Sequence, residues 1–285
     1  MSATGQGVDT GAARALRIDG LTMDVAGRDG EVTRILDGVS LDCHQGEIVG
    51  LVGESGSGKS MTLRAAVALQ PAKATVAGEV VVAGRQLIGA DARTILEVRR
   101  SLAAMIFQDP RANVNPYQTI GTFVGEGLRV NQGWSRPRVR AKVLQLLDEV
   151  GLPDPGTVVR RHPFELSGGM LQRVMIAAAL AQEPQLLLAD EATTALDVTT
   201  QAEIMGMLRR LRAERGLAIV FVTHDLDLAI SSCDRIFVMQ HGCIVEEGTA
   251  REIFEHPRHP YTRRLFDAMP SRIDVDAPAE KEAIA

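Results

Sequence analysis

The stretch Gly53-Glu54-Ser55-Gly56-Ser57-Gly58-Lys59-Ser60 leaves this chain few folds to choose from. It satisfies G-x-x-x-x-G-K-[ST] at every fixed position, and its surroundings matter more than its letters. Ile48-Val49-Gly50-Leu51-Val52 before it is apolar and β-branched, and Met61-Thr62-Leu63-Arg64-Ala65-Ala66-Val67 after it has helical composition, so the context is strand, turn, helix. Such a turn holds a nucleotide by its phosphates. The glycines let consecutive N–H groups turn inward, the new helix adds its positive N-terminus, Lys59 reaches the terminal phosphates and the Ser60 hydroxyl ligates Mg2+. The chemistry expected is phosphoryl transfer or its control. The bland alternative, a Gly/Ser-rich turn that matches by accident, is opposed by the flanking strand and helix.

With 285 residues and 45% hydrophobic content the chain can bury a large core, and one domain with a subdomain is the expectation. A net charge of −5, from 31 basic and 36 acidic side chains, supplies no general basic field and disfavours a nucleic-acid partner. Cys43, Cys233 and Cys243 are odd in number, far apart and without C-x-x-C spacing, which suits free thiols in a reducing compartment. No apolar run approaches the roughly 18 residues that span a bilayer, and Met1 to Gly11 lacks a signal-peptide core. The protein is expected in the cytoplasm, held at any membrane by other subunits.

In chain order, residues 1–13 read as a disordered leader, Leu16 to Val25 alternates like a half-buried strand, and Ile35 to Leu41 gives another. Gly78 to Gly84 is a β-run beyond the phosphate loop, so an antiparallel sheet beside a parallel core is predicted. Leu102 to Phe107 is a short strand ending at Gln108-Asp109-Pro110, and Arg111 to Thr119 is a polar loop. From Ile120 to Val150 the pattern is helical, with Val139, Val143, Leu146 or Leu147 and Val150 on one face. Leu166-Ser167-Gly168-Gly169 opens a second strong helix whose N-terminus can meet an anion. Gln185 to Ala189 is a buried strand closed by Asp190-Glu191, and Ala218 to Thr223 another closed by His224-Asp225. Polar residues at the carboxyl ends of parallel strands are where open α/β sheets place ligands, so these ends should converge on the phosphate loop.

Taken together, these segments resemble the nucleotide-binding subunit of ABC transporters from about Leu16 to Met269. Leu166-Ser-Gly-Gly-Met170 matches the family signature, with Met where glutamine is commoner, and Gln108 sits at the Q-loop. The resemblance makes Asp190 the acidic residue closing the Walker B strand, Glu191 the catalytic carboxylate, Ala195-Leu196-Asp197 the D-loop and His224 the switch histidine. It implies a P-loop NTPase of RecA-like α/β fold: a parallel core sheet, an antiparallel β subdomain and an inserted helical signature subdomain at about 115–182. The ATP-binding domain would run over 14–250 and a C-terminal extension over 251–285. ATP would be held by Gly53, Glu54, Ser55, Gly56, Ser57, Gly58, Lys59, Ser60 and Met61. Mg2+ would fall to Ser60, Gln108 and Asp190, and catalysis to Glu191, His224 and Gln108. Residue type agrees: Asp190 can help neutralise phosphate charge, Glu191 can polarise the attacking water and His224 can donate to the γ-phosphate.

The family pairs two cassettes head to tail, so Ser167, Gly168, Gly169 and Asp197 are expected at a partner's nucleotide. Partners implied are a second ATP-binding subunit, two membrane permeases reached through Gln108 and the loop Asp109 to Pro116, and an extracytoplasmic binding protein. The location implied is peripheral, on the cytoplasmic face of the inner membrane. Phe164-Glu-Leu-Ser-Gly-Gly-Met-Leu-Gln-Arg173 and the block His259-Pro260-Tyr261-Thr262 point to importers of peptides or nickel, which the sequence does not separate. Phe266 to Ala285 has no cysteine, so no iron–sulfur cluster is expected. His256 and His259 lie beside prolines and read as loop packing rather than a metal site.

Two departures stand out. Ala192 replaces the usual proline after the catalytic Glu, freeing that segment slightly, and no aromatic precedes Phe107, the position usual for adenine stacking being Val25. GTP is therefore expected to compete with ATP, unless Arg28 or a partner's ring covers the base. Rival functions are a soluble ABC ATPase of DNA repair or translation, opposed by the lack of a coiled-coil insertion or second cassette, and a nucleotide-gated regulator, opposed by Glu191 and His224.

Overall fold

A computed structural model of the chain describes residues 13–27, 29–192 and 196–268. Apart from Ala13 the expected leader, and likewise Arg28, Ala195 and the segment 269–285, lie outside the described residues.

Alternating apolar and polar positions make β1 (Arg14–Ala26) and β2 (Val32–His44) an antiparallel pair, and β4 (Ala74–Val82) lies antiparallel on the other side of β1. With the two-residue β5 (Arg85–Gln86) they form a sheet of order β2-β1-β4-β5. The second sheet is built from short strands, the central ones almost wholly apolar. It contains β3 (Ile48–Val52), β6 (Ala103–Ile106), β7 (Leu186–Asp190), β8 (Ala218–Val222), β9 (Arg235–Gln240) and β10 (Cys243–Thr249), in the order β10-β9-β3-β8-β7-β6. Every pairing in it is parallel except β9 with β10.

Both faces of this sheet are covered at its centre, which is why its central strands read as continuous apolar runs. Side chains alternate between faces. Val49, Leu51, Leu186, Leu188, Val220 and Val222 pack toward the antiparallel sheet, whereas Ile48, Val52, Leu187, Ala189, Ile219 and Phe221 pack toward the helices.

Between β3 and β7 the chain forms α1 (Lys59–Ala65), α2 (Ala92–Glu97), α3 (Ile120–Val130), α4 (Arg136–Glu149), the single turn α5 (Pro155–Val158) and α6 (Gly168–Leu180). The helical pattern from Ile120 to Val150 is thus two helices and not one. Residues Asn131 to Ser135 interrupt it, because Pro137 is tolerated only in the first turn of a helix and so forces a new start. Val143, Leu146 and Leu147 of α4 are buried, as the predicted stripe requires. Beyond β7 come α7 (Val198–Arg215), α8 (Leu226–Ser232), α9 (Ala250–Glu255) and α10 (Pro260–Asp267). None of these four helices, nor β9 and β10, was read from sequence.

All three cysteines are free. Burial pushes the Cys233 thiol up to about 12 and the Cys43 thiol well above its ordinary value. Among the described residues no helix is long and apolar enough to cross a membrane.

Candidate nucleotide site

The parallel register lines up one end of the sheet. β3 lies beside β8, β8 beside β7 and β7 beside β6, so the residues that follow these four strands emerge side by side. Those residues are the phosphate loop, His224, Glu191 and Gln108. They meet in a cleft of about 580 Å3 lined by Ser55, Gly56, Gly58, Lys59, Ser60 and Met61 of the loop and α1, by Gln108, Glu191 and His224, and by Ile35 of β2.

The loop is tightly seated. Gly53 has φ +149, and a Cβ there would lie 2.1 Å from the Met239 carbonyl oxygen, so only glycine fits. Lys59 is 5% exposed and its Nζ donates to the carbonyls of Gly53 and Glu54, each at 2.8 Å. Burial holds its pKa below the usual lysine value, against the pull of Glu191, Asp190 and Glu54. A triphosphate therefore meets a confined cation whose present partners are neutral carbonyls, which a phosphate outbids.

Asp190 ends β7 almost fully buried and accepts a 2.7 Å hydrogen bond from the Ser60 hydroxyl. Burial raises its pKa, opposed chiefly by that hydrogen bond. The Ser60 and Asp190 oxygens are the hard donors that Mg2+ prefers, and a buried carboxylate gains by meeting a cation, so this pair fits the ion.

Glu191 follows in the left-handed region at φ +48, a conformation uncommon for a residue with a side chain. Its backbone N–H donates to the Val222 carbonyl at 3.1 Å, which fixes the turn against the end of β8. The side chain thereby leaves the sheet and enters the cleft. Gln108 Nε2 donates to Glu191 Oε2 at 2.6 Å, and His224 Nδ1 stands 3.8 Å from the same oxygen. His224 itself is held on a turn in which the Thr223 hydroxyl accepts the Asp225 N–H at 3.0 Å, before Asp225 caps α8. A carboxylate steered by an amide, with an imidazole beside it and a lysine and hydroxyl across the cleft, can orient water toward a bound phosphate.

Not every expected residue is here. Gly53, Glu54 and Ser57 support the loop without lining the cleft. Ser167 and Gly168 are exposed at the start of α6, where the Ser167 hydroxyl accepts the Met170 N–H at 3.3 Å. Asp197 caps α7, accepting the Thr200 N–H at 2.9 Å and the Thr200 hydroxyl at 2.7 Å, and those bonds hold its carboxyl below the usual range. The two helix starts adjoin, since a Cβ on Gly169 would meet the Thr200 methyl at 2.8 Å. They form a surface apart from the cleft.

Val25, the expected base position, is half-buried on β1 and does not line the cleft; the apolar wall there is Ile35. Sequence reasoning also passed over the role of Tyr261. Its hydroxyl accepts the Glu54 N–H at 2.9 Å across 207 positions of chain, and the only signal was the conspicuous His259-Pro260-Tyr261-Thr262 block.

Comparison with known proteins agrees with this geometry. Residues 36–194 match the ABC transporter family and residues 245–283 match the oligopeptide/dipeptide transporter C-terminal region. The dipeptide transport ATP-binding protein DppD of Escherichia coli is 44% identical over 260 residues, covering 90% of this chain and 78% of that protein. The oligopeptide transport ATP-binding protein OppD of Haemophilus influenzae is 43% identical, with 86% and 76% covered. Among solved structures, a dimeric bacterial ABC transporter cassette superposes with a TM-score of 0.73 at 31% identity, covering 83% of this chain and 99% of that one. The same cassette in a post-hydrolysis state bound to ADP and Pi superposes equally well. The chain belongs to the ABC transporter family, as an ATP-binding, ATP-hydrolysing subunit of the oligopeptide/dipeptide type.

Proposed function

We propose that this ATPase powers the import of peptides, working from the cytoplasmic face of the inner membrane as a peripheral subunit. The observation that carries the ATPase mechanism is the meeting of Gln108, Glu191 and His224 with Lys59 and Ser60 in one cleft, Ser60 being hydrogen-bonded to the buried Asp190. In this reading the loop from Gly53 to Met61 cradles the triphosphate and Lys59 moves from its carbonyl partners to the β- and γ-phosphates. Ser60 and Asp190, with Gln108, would hold Mg2+, which would supply charge neutralisation at the phosphates. Glu191, oriented by Gln108, takes the role of the carboxylate that polarises the attacking water, and His224 donates to the γ-phosphate.

Each site needs a second cassette. The exposed Ser167-Gly168-Gly169 turn and the adjoining Asp197 face a partner's nucleotide rather than this chain's own, and a cassette solved as a dimer supports that pairing. The remaining partners are two permeases, met through Gln108 and the loop after it, and indirectly an extracytoplasmic binding protein. Peptide is preferred to nickel as cargo because the similar proteins are named for dipeptide and oligopeptide transport. The domain limits proposed are 14–250 for the cassette, with its helical part at about 115–182, and 251–285 for the extension.

The test is a pair of variants. Glu191→Gln is expected to bind ATP normally and to lose turnover by about two orders of magnitude or more, because it removes the carboxylate and none of the phosphate donors. Lys59→Ala is expected to lose affinity as well. Near-normal turnover of Glu191→Gln, with ATP bound in a titration, would overturn the assignment.

A further inference from the structure

The Gly53–Glu54 peptide of the phosphate loop is gripped at both ends. Its carbonyl accepts from Lys59 Nζ at 2.8 Å, and its N–H donates to the Tyr261 hydroxyl at 2.9 Å. The first grip comes from within the loop; the second comes from α10, in the C-terminal segment. Tyr261 is 3% exposed and set firmly in place. Pro260 starts the helix, the His259 ring Nδ1 accepts the Tyr261 N–H at 3.2 Å, and the Glu246 carboxylate on β10 accepts the N–H groups of Arg258 at 2.7 Å and His259 at 2.9 Å. Phe266, fully buried one and a half turns on, meets the Phe254 ring of α9 edge to face at 6.3 Å.

We propose that Tyr261 is a positioning residue for ATP binding, through which the C-terminal segment sets the conformation of the phosphate loop. This rests on the reading of the cleft as the ATP site. The physical reason is that Lys59 cannot keep both Gly53 and Glu54 as partners while it reaches the phosphates. When it leaves, the Gly53–Glu54 peptide loses one of its two grips. Gly53, with no side chain and φ +149, does little to restrain that peptide's rotation. The Tyr261 hydroxyl then remains as the restraint on the leading edge of the loop. Without it a fraction of the free molecules holds a loop unable to receive phosphate, and apparent affinity falls by that fraction. Once ATP is seated, the phosphate contacts themselves order the loop, so the chemical step is unaffected. The C-terminal segment thus acts on KM and not on kcat.

The test is Tyr261→Phe, which keeps the ring and deletes the acceptor. A lost hydrogen bond of ordinary strength corresponds to roughly a fivefold loss of affinity. KM and the dissociation constant for ATP are expected to rise by about that factor while kcat stays within about twofold. Amide exchange at Glu54 is expected to accelerate in the nucleotide-free variant, a readout independent of activity. Unchanged KM in Tyr261→Phe overturns the proposal, as does a loss carried by kcat alone or an unchanged amide-exchange rate at Glu54. Lys59→Ala in the same assay separates the two levels of inference. If it keeps wild-type affinity, the ATP-site reading itself fails; if it loses affinity and Tyr261→Phe does not, only the role of Tyr261 falls.

Discussion

The strained residue of the site is also its proposed catalyst. Glu191 takes φ +48 because the chain must leave β7 sharply enough to bring a carboxylate over the loop, while its N–H stays bonded to Val222. Asp190, one residue earlier, remains in the strand and points at Ser60. Adjacent acids thus receive different environments and different work, one buried beside a hydroxyl and one steered by an amide. Base recognition is weaker by the same reading. The apolar wall beside Met61 is the aliphatic Ile35, and the only ring lining the cleft among the described residues is the His224 imidazole. Stacking on an aromatic is worth roughly 1–3 kcal/mol, so without it the triphosphate supplies most of the affinity. GTP is expected to compete with ATP to within about tenfold, or ~1.4 kcal/mol. A competition titration showing a much larger preference for ATP would mean that the base is read by a contact outside this wall.

At the scale of elements, α4 depends on its inward face far more than on its own propensity. Val143, Leu146 and Leu147 are buried against α3 and α6, while Arg136, Arg138 and Arg140 near the start of the helix lie in solvent. Arg138 lies over the Trp134 ring at 3.6 Å, which stiffens the break that separates α4 from α3. Leu146→Ala should cost about 2–5 kcal/mol, the range for deleting a buried leucine from a packed core. Urea unfolding measures it, and a loss below about 1 kcal/mol would show that α4 is loosely docked. This helix was legible as a periodic stripe. Its start was not, because reading Ile120 to Val150 as one helical pattern passes over Gly133, the N-cap Ser135 and Pro137, which break and restart the helix.

For the molecule as a whole, the proposed two-chain site pairs the cleft of one cassette with the Ser167–Asp197 surface of another. Isolated subunits are therefore expected to hydrolyse ATP slowly, with turnover per chain rising with protein concentration as cassettes meet, and rising further when a complementary cassette is added. Fast turnover independent of concentration, in a preparation shown to be monomeric by sedimentation, would contradict the two-chain site. Among the described residues no helix is long and apolar enough to cross a membrane.

The sequence by itself determined the chemistry. Glycines, a lysine and a serine at fixed spacing specify a phosphate cradle because the backbone there has few alternatives, and apolar strands ending in Gln108, Asp190-Glu191 and His224 specify which residues surround it. Parallel pairing then follows, since strands buried on both faces must lie side by side with their ends together. Tertiary structure alone decided which distant groups touch that cradle. Ile35 reaches the cleft because β2 passes behind the loop, and Tyr261 reaches Glu54 because β9, β10 and α9 carry α10 back over it. Neither contact can be read from local pattern: an isoleucine in an alternating strand and a tyrosine in a short helix look like core residues, and Tyr261 is buried while Ile35 is half-buried against the core. What gives them a second role is their position in space, fixed by packing that spans the length of the chain.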